Sequence, residues 1–357
     1  MGFDVADAPF LRRFVILKAI QMNISAMLDE FPVYALFLEM SGGSPMMVDA
    51  LSALIDTVYN ERRAALWHMD IGLGDRLVQT RVGQKAVQLV FNHLSDNLSP
   101  TDMKKLREAG MGGDSNMPTE GGAVGALTKR VAKILENHTR AILRSREQLC
   151  CNLLSTASFS FVADGVTNTI TTGLTVVNMG GNFATASTDI PGLMGIARRK
   201  FITQAGEEPD CIIYSFLQED NFALNDKIRA WANNQLKGNT APITDIPLEL
   251  LPAEMRSAQI IKHKSHYKND SGTLTYYWPA TVLTMLSRTQ MDNVLGWLTT
   301  NIAIRDWANP GQWRDVSDIW EHRYHDDRTL IEYVDTHAVG GAYVGDESKI
   351  IPFSTAA

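Results

Sequence analysis

The feature that most limits how this chain can fold is a helical stripe running from Val124 to Leu153. Val124, Leu127, Val131, Leu135, His138, Ile142, Leu149 and Leu153 recur at three- to four-residue spacing, which predicts one rod of roughly 45 Å. A rod that long exceeds the width of a small domain, so the remaining chain must lie along it. Six cations on it (Lys129, Arg130, Lys133, Arg140, Arg144 and Arg146) face two acids, Glu136 and Glu147, a local excess of 6 − 2 = 4 positive charges. A solvated face on an amphipathic helix explains that pattern, and a surface facing a polyanion is the functional alternative.

Past the rod the apolar period switches to two. Ser158–Phe161 and Thr167–Val177 read as strands joined by a tight turn at Asp164-Gly165. Thr188-Asp189 caps a helix through Phe201, Cys211–Tyr214 is a short buried strand, and Gln218-Glu219-Asp220 opens a helix through Leu236. Strands Ile260–His266 and Thr273–Trp278 flank a turn at 268–272, and Arg328–Val334 and Lys349–Phe353 return to strand. A long helix followed by a hairpin predicts an α+β chain with interleaved modules.

Upstream, Asp7 and Pro9 open a helix over 7–28 that stops before Pro32, and Ser44-Pro45 caps a second short helix carrying Val48, Leu51 and Ile55. Thr57–Met69 and Lys85–Leu94 are strand-like and enclose Ile71–Arg76, Arg81 and Gly83, a long two-stranded arm. Such a ribbon is marginal in water and needs a surface to lie on, from this chain or a neighbour. Ser99-Pro100-Thr101-Asp102 then opens a short helix through Glu108.

Composition removes several classes. At 357 residues the chain holds two or three modules, and 33 basic against 40 acidic residues give a net charge of −7. With 45% hydrophobic and 20% charged residues it is neither a disordered chain nor a broadly basic nucleic-acid coat. The apolar run Phe14–Leu17 is cut by Lys18, short of the ~20 residues of a membrane span. Cys150, Cys151 and Cys211 form neither a disulfide framework nor a metal knuckle, which fits a reducing cytoplasm. Asp4 and Asp7 argue against a signal peptide, and Ala6 against myristoylation.

Catalytic signatures are sparse. His322, His325 and Asp326 could hold zinc if the two histidines converged on one helical face, giving a metal-dependent hydrolase. The Gly-rich stretch 110–123 lacks the Gly-Lys-Ser/Thr of a phosphate loop and reads as a linker, with a nucleotide-binding module as its alternative. Gly180-Gly181-Asn182 lacks the rest of a dinucleotide fingerprint, and no Gly-x-Ser-x-Gly elbow exists. The cysteines have no local activating base. Trp297, Trp307, Trp313 and Trp320 fill a core or an interface. The expectation is a non-enzymatic chain with no catalytic residues, metal or cofactor.

Element order carries a resemblance. Two leading packing helices, a β arm ending in Leu98-Ser99-Pro100-Thr101-Asp102-Met103-Lys104-Lys105-Leu106, and a Gly-rich connector come first. A long helix ending in Arg144-Ser145-Arg146-Glu147-Gln148-Leu149 and Leu153-Leu154-Ser155-Thr156, a hairpin, a helical region and the Tyr267-x-Asn269-Asp270-x-Gly272 turn follow. This resembles the tailed-bacteriophage major capsid proteins of the lambda head protein E type, which share the Hong Kong 97 phage fold. The resemblance spans essentially the whole chain on order and spacing alone.

It implies N-terminal helices over 1–56, an extended E-loop over 57–95, a peripheral domain over 96–183 and 311–357 with a spine helix over 123–154, and an axial domain over 184–310. It implies a structural subunit of an icosahedral head, self-assembling into hexamers and pentamers around double-stranded DNA. Portal, scaffold and decoration proteins are further implied partners, with no membrane, and the place is the virion after assembly in the host cytoplasm. Arg62, Arg63, Asp75, Arg76 and Arg81 are then candidates for inter-subunit ion pairs. Lys129, Arg130, Lys133, Arg140 and Arg144 are candidates for a DNA-facing spine. The shell of a gene-transfer particle or cellular nanocompartment is the related alternative.

Overall fold

A computed structural model describes residues 27–48, 52–59, 81–98, 123–163, 166–236, 246–268, 273–288, 294–305, 313–326 and 331–356, and the architecture is α+β. The chain opens with α1 (Pro32–Met40), β1 (Met46–Val48), β2 (Ser52–Tyr59), β3 (Arg81–Gln88) and β4 (Val90–Leu98). The stripe folds as α2 (Ala123–Ser155), 33 residues or about 50 Å long. A hairpin of β5 (Ser158–Ala163) and β6 (Val166–Thr171), then β7 (Val177–Asn178), lead to α3 (Ile190–Ala205).

Next come β8 (Cys211–Ser215), α4 (Glu219–Leu224), α5 (Asp226–Leu236), β9 (Gln259–His263), β10 (His266–Lys268) and β11 (Leu274–Tyr276). The closing elements are β12 (Val282–Leu286), β13 (Leu295–Thr300), β14 (Ile302–Arg305), β15 (Trp313–Val316), β16 (Ile319–Asp326), β17 (Ile331–Val344) and β18 (Ile350–Ser354).

Local chemistry explains several boundaries. Pro32, expected to mark a helix end, instead begins α1, where its missing N–H is harmless. The short helix expected from Ser44-Pro45 does not form: Met46–Val48 and Ser52–Tyr59 are strands, and β1 is drawn into a parallel pairing with β13 (Met46↔Leu298). Asp189 caps α3 by accepting from the Gly192 N–H at 3.0 Å, and Gly206 ends it at φ 68°, a left-handed position suited to glycine. The helix expected over 218–236 is broken at Asn225, whose side-chain oxygen accepts from the Ile228 N–H at 3.2 Å. The expected helices over 7–28 and 99–108, the linker 110–123, the turn Asp164-Gly165 and Trp307 fall wholly or largely outside the described residues.

Two sheets organise the body. One runs β1-β13-β17-β16, with β4 also paired to the long β17; the other runs β7-β18-β12-β8-β9. Consecutive β12 and β13 lie in different sheets, as do β17 and β18, so the modules interleave. Sheet membership therefore does not follow boundaries at 183/184 and 310/311. Pairing puts β13 with β17, and β18 with β12 and β7.

Helix α2 lies between α1 and the strands. Leu143, Leu149, Leu153 and Leu154 bury themselves with Val33, Phe37, Trp278 and Trp297. A second core joins α3 to β8, β12 and β18 through Met194, Phe201, Tyr214, Leu283 and Phe353. Trp320 is buried in a third cluster with Val87, Leu89, Val339 and Tyr343, whereas Trp313 is 70% exposed.

Candidate functional site

The arm is present as a two-stranded ribbon. β2 and β3 pair antiparallel from Ser52↔Gln88 to Tyr59↔Arg81, about 26 Å at strand rise, and join no other sheet among the described residues. At its root Val87 and Leu89 are buried against Trp320 and Val339, and the chain continues directly into β4, the neighbour of β17. The second strand of the arm was expected to run through Leu94. The structure assigns residues 90–98 to the main sheet instead, because β17 offers β4 nine successive partners from Gly340↔Val90 to Glu332↔Leu98. Arg62, Arg63, Asp75 and Arg76 lie outside the described residues, and Arg81 is the first residue of the returning strand, opposite Tyr59.

Helix α2 sorts its cations by face. Lys133 lies 3.5 Å from Glu136, Arg140 lies 3.4 Å from Glu30 and 3.7 Å from Glu136, and Arg130 and Arg144 are exposed. Lys129 is on the same helix. Arg146 and Glu147 do not belong to that solvated set. Arg146 is buried, donates to Tyr34 Oη at 2.7 Å and pairs with Asp318 Oδ1 at 2.6 Å, its guanidinium 4.9 Å from the Trp297 ring centre. Burial opposes its charge, but Asp318 and then Tyr34 more than offset this and hold it protonated.

Glu147 has no exposed surface. Its Oε1 accepts from the Val33 N–H at 3.1 Å and its Oε2 from the Tyr34 N–H at 2.6 Å, while His263 Nε2 lies 2.7 Å from Oε1. The first turn of α1 has no side-chain cap of its own, so Glu147 caps it from across the core. Arg146 stands four residues after Ile142 and three before Leu149, in step with the apolar stripe. That spacing is the signal by which its burial could have been found.

Two chemical expectations change. Ile319–Asp326 is a strand, so His322 and His325 have no helical face on which to converge; positions three apart in a strand fall on opposite sides. His322 instead occupies the ladder position opposite Asp335 of β17.

A base does stand beside a cysteine, because β9 delivers His263 Nε2 to 3.3 Å from Cys151 Sγ. Burial, and then Glu147, nonetheless push the Cys151 thiol up. Burial raises Cys150 too, and takes Cys211 up to about 12.

A folded-state pKa raised above the unfolded value near 9.0 favours the folded state at lower pH. That contribution is lost as pH climbs toward about 12 and the unfolded chain releases thiol protons. Thermal unfolding followed at increasing pH is expected to show a melting temperature that falls above about pH 9. In parallel, a thiol reagent at neutral pH should leave all three cysteines unlabelled until the chain unfolds.

Large apolar side chains remain in water elsewhere. Val162 (70% exposed) and Val166 (61%) lie on the β5–β6 hairpin, Trp313 on the β14–β15 pair, and Phe91 (51%) on β4. No helix among the described residues is long and apolar enough to cross a membrane.

No protein-family model matches the chain, and no curated protein matches it in sequence. Solved structures do. A protein assigned as the capsid protein of a prophage in Escherichia coli CFT073 superposes with a TM-score of 0.51 at 14% identity, over 86% of this chain and 85% of that one. A phage-related protein from Bordetella bronchiseptica RB50 gives 0.49 at 14% identity, over 87% and 89%. A virus-like particle from Pyrococcus furiosus gives 0.45 at 11% identity, over 92% and 96%. The chain has the fold of the prophage protein, the phage capsid architecture that its element order resembles.

Proposed function

We propose that this chain is the repeating, non-enzymatic subunit of a closed shell of the tailed-phage head type, assembling as hexamers and pentamers around double-stranded DNA. The observation that carries the reading is the β2–β3 ribbon. Its strands pair only with each other among the described residues, and such a ribbon suits a platform supplied by a neighbouring copy. The shared fold supports the same reading. On it the ribbon is the root of the E-loop expected over 57–95, α2 is the spine, and the β7–β9 sheet with α3 to α5 is the axial unit. The remaining strands form the peripheral unit.

Arg62, Arg63, Asp75, Arg76 and Arg81 would supply ion pairs between copies. Each exposed pair is worth only about 0–1 kcal/mol, so the shell gains from repetition of one contact under symmetry. The DNA-facing role narrows to Lys129, Arg130 and Arg144, because Lys133 and Arg140 already have carboxylate partners. Portal, scaffold and decoration proteins would be its partners, with the subunit in the host cytoplasm during assembly and in the virion afterwards. Concentrated full-length protein examined by negative-stain microscopy and sedimentation is expected to give rings, tubes or closed shells. A single compact monomer at every concentration would overturn the reading.

A further inference from the structure

One face of the main sheet gathers ligand-bearing side chains that the shell reading does not use. Asp335 and His337 are two apart on β17 and so share a face, and β4 sets His93 directly opposite His337. Their ligand atoms all lie within 4.8 Å of one another, with His93 Nε2 3.6 Å from Asp335 Oδ2. The two imidazoles stack nearly parallel, 4.3 Å between centres. Trp320 stacks on His337 from the next strand at 5.5 Å and 11°. In-plane lone pairs of parallel stacked rings do not converge, so holding one ion requires His93, the exposed member, to turn its ring out of the stack.

Asp335 supplies a second observation. Its side chain is only 6% exposed, and its Oδ1 has no hydrogen-bond partner among the described residues. A buried carboxylate oxygen left without a donor is the condition a bound cation relieves. His93, at 54% exposure, keeps one side of the group open to water.

We propose that His93, Asp335 and His337 form a binding site for a divalent transition-metal cation of the zinc class. Two imidazoles and a carboxylate suit such an ion, and three ligands from adjacent strands leave a coordination position for water or for a group on another molecule. The site joins β4, which continues from the ribbon, to β17 at the centre of the sheet, so the metal pins the root of the arm.

The other cluster of potential ligands, Glu147, Cys151 and His263, is of a different kind. Both Glu147 oxygens are taken by α1, and among the described residues His263 Nδ1 lacks the partner that a metal-bound histidine normally has.

The test uses untagged full-length protein, stripped with chelator and dialysed against Zn²⁺ or Co²⁺. One ion per chain is expected, with visible absorption bands for Co²⁺ and a melting temperature raised by Zn²⁺. His93→Ala should weaken binding at least tenfold and abolish the rise in melting temperature on adding Zn²⁺, each variant being compared with its own metal-free form, and Asp335→Asn should weaken binding as much. Absence of stoichiometric binding, or binding unaltered in His93→Ala, would overturn the site. The outcome is independent of whether the chain forms shells, since unassembled subunits carry all three ligands.

Discussion

Glu147→Ala is expected to lower the stability of the subunit by about 3–5 kcal/mol, read as the shift of the urea midpoint at constant slope. The carboxylate is wholly buried and serves three groups: the Val33 and Tyr34 N–H groups and His263. Truncation leaves two helix donors in the core with nothing to bond, each at a cost of about 1–3 kcal/mol, and leaves His263 Nε2 only its weaker contact with Cys151 Sγ. It also removes negative charge from the positive end of α1. Lys133→Ala is the control on the same helix. Its ion pair with Glu136 is exposed, and the loss should stay below about 1 kcal/mol. If Glu147→Ala cost no more than Lys133→Ala, the carboxylate would not be what ties α1 to α2.

Shortening the arm should abolish assembly while sparing the fold. Tyr59 and Arg81 are direct partners in the ribbon, so residues 60–80 can be replaced by Asn-Gly, a two-residue turn that closes an antiparallel pair. The body loses none of its described cores, and the midpoint of unfolding should stay within about 1 kcal/mol of the parent's. On the proposed reading, rings and shells should disappear from micrographs, because the segment assigned to inter-subunit contact is gone. Normal shells from this variant would remove the arm from the assembly mechanism.

What the sequence disclosed follows the range of the interactions involved. Helix α2 was legible because a 3–4 period sustained over so many residues leaves no strand alternative, and Asp189 announced α3 through a cap three residues from its donor. Cys211–Tyr214 was legible as an unbroken apolar run. Residues 44–55 were not, since β1 is three residues long and owes its strand geometry to β13 near the other end of the chain. Arg146 kept step with the apolar stripe but was grouped with the solvated cations by charge. Its partners Tyr34, Asp318 and Trp297 come from three distant segments. His93 and Asp335 meet only through the register of β4 on β17, which no local spacing encodes.

The interleaved sheets bear on how such a subunit is made. β17 runs through the middle of one sheet and β18 stands between β7 and β12 in the other, so neither sheet can close until residues 331–354 have left the ribosome. Contacts that join early and late segments form slowly, because a long loop must close first. A nascent chain therefore has no finished surface to offer a neighbour. On the proposed reading, competence to associate arrives only once residues 331–354 are available, which would keep chains lacking them out of a shell.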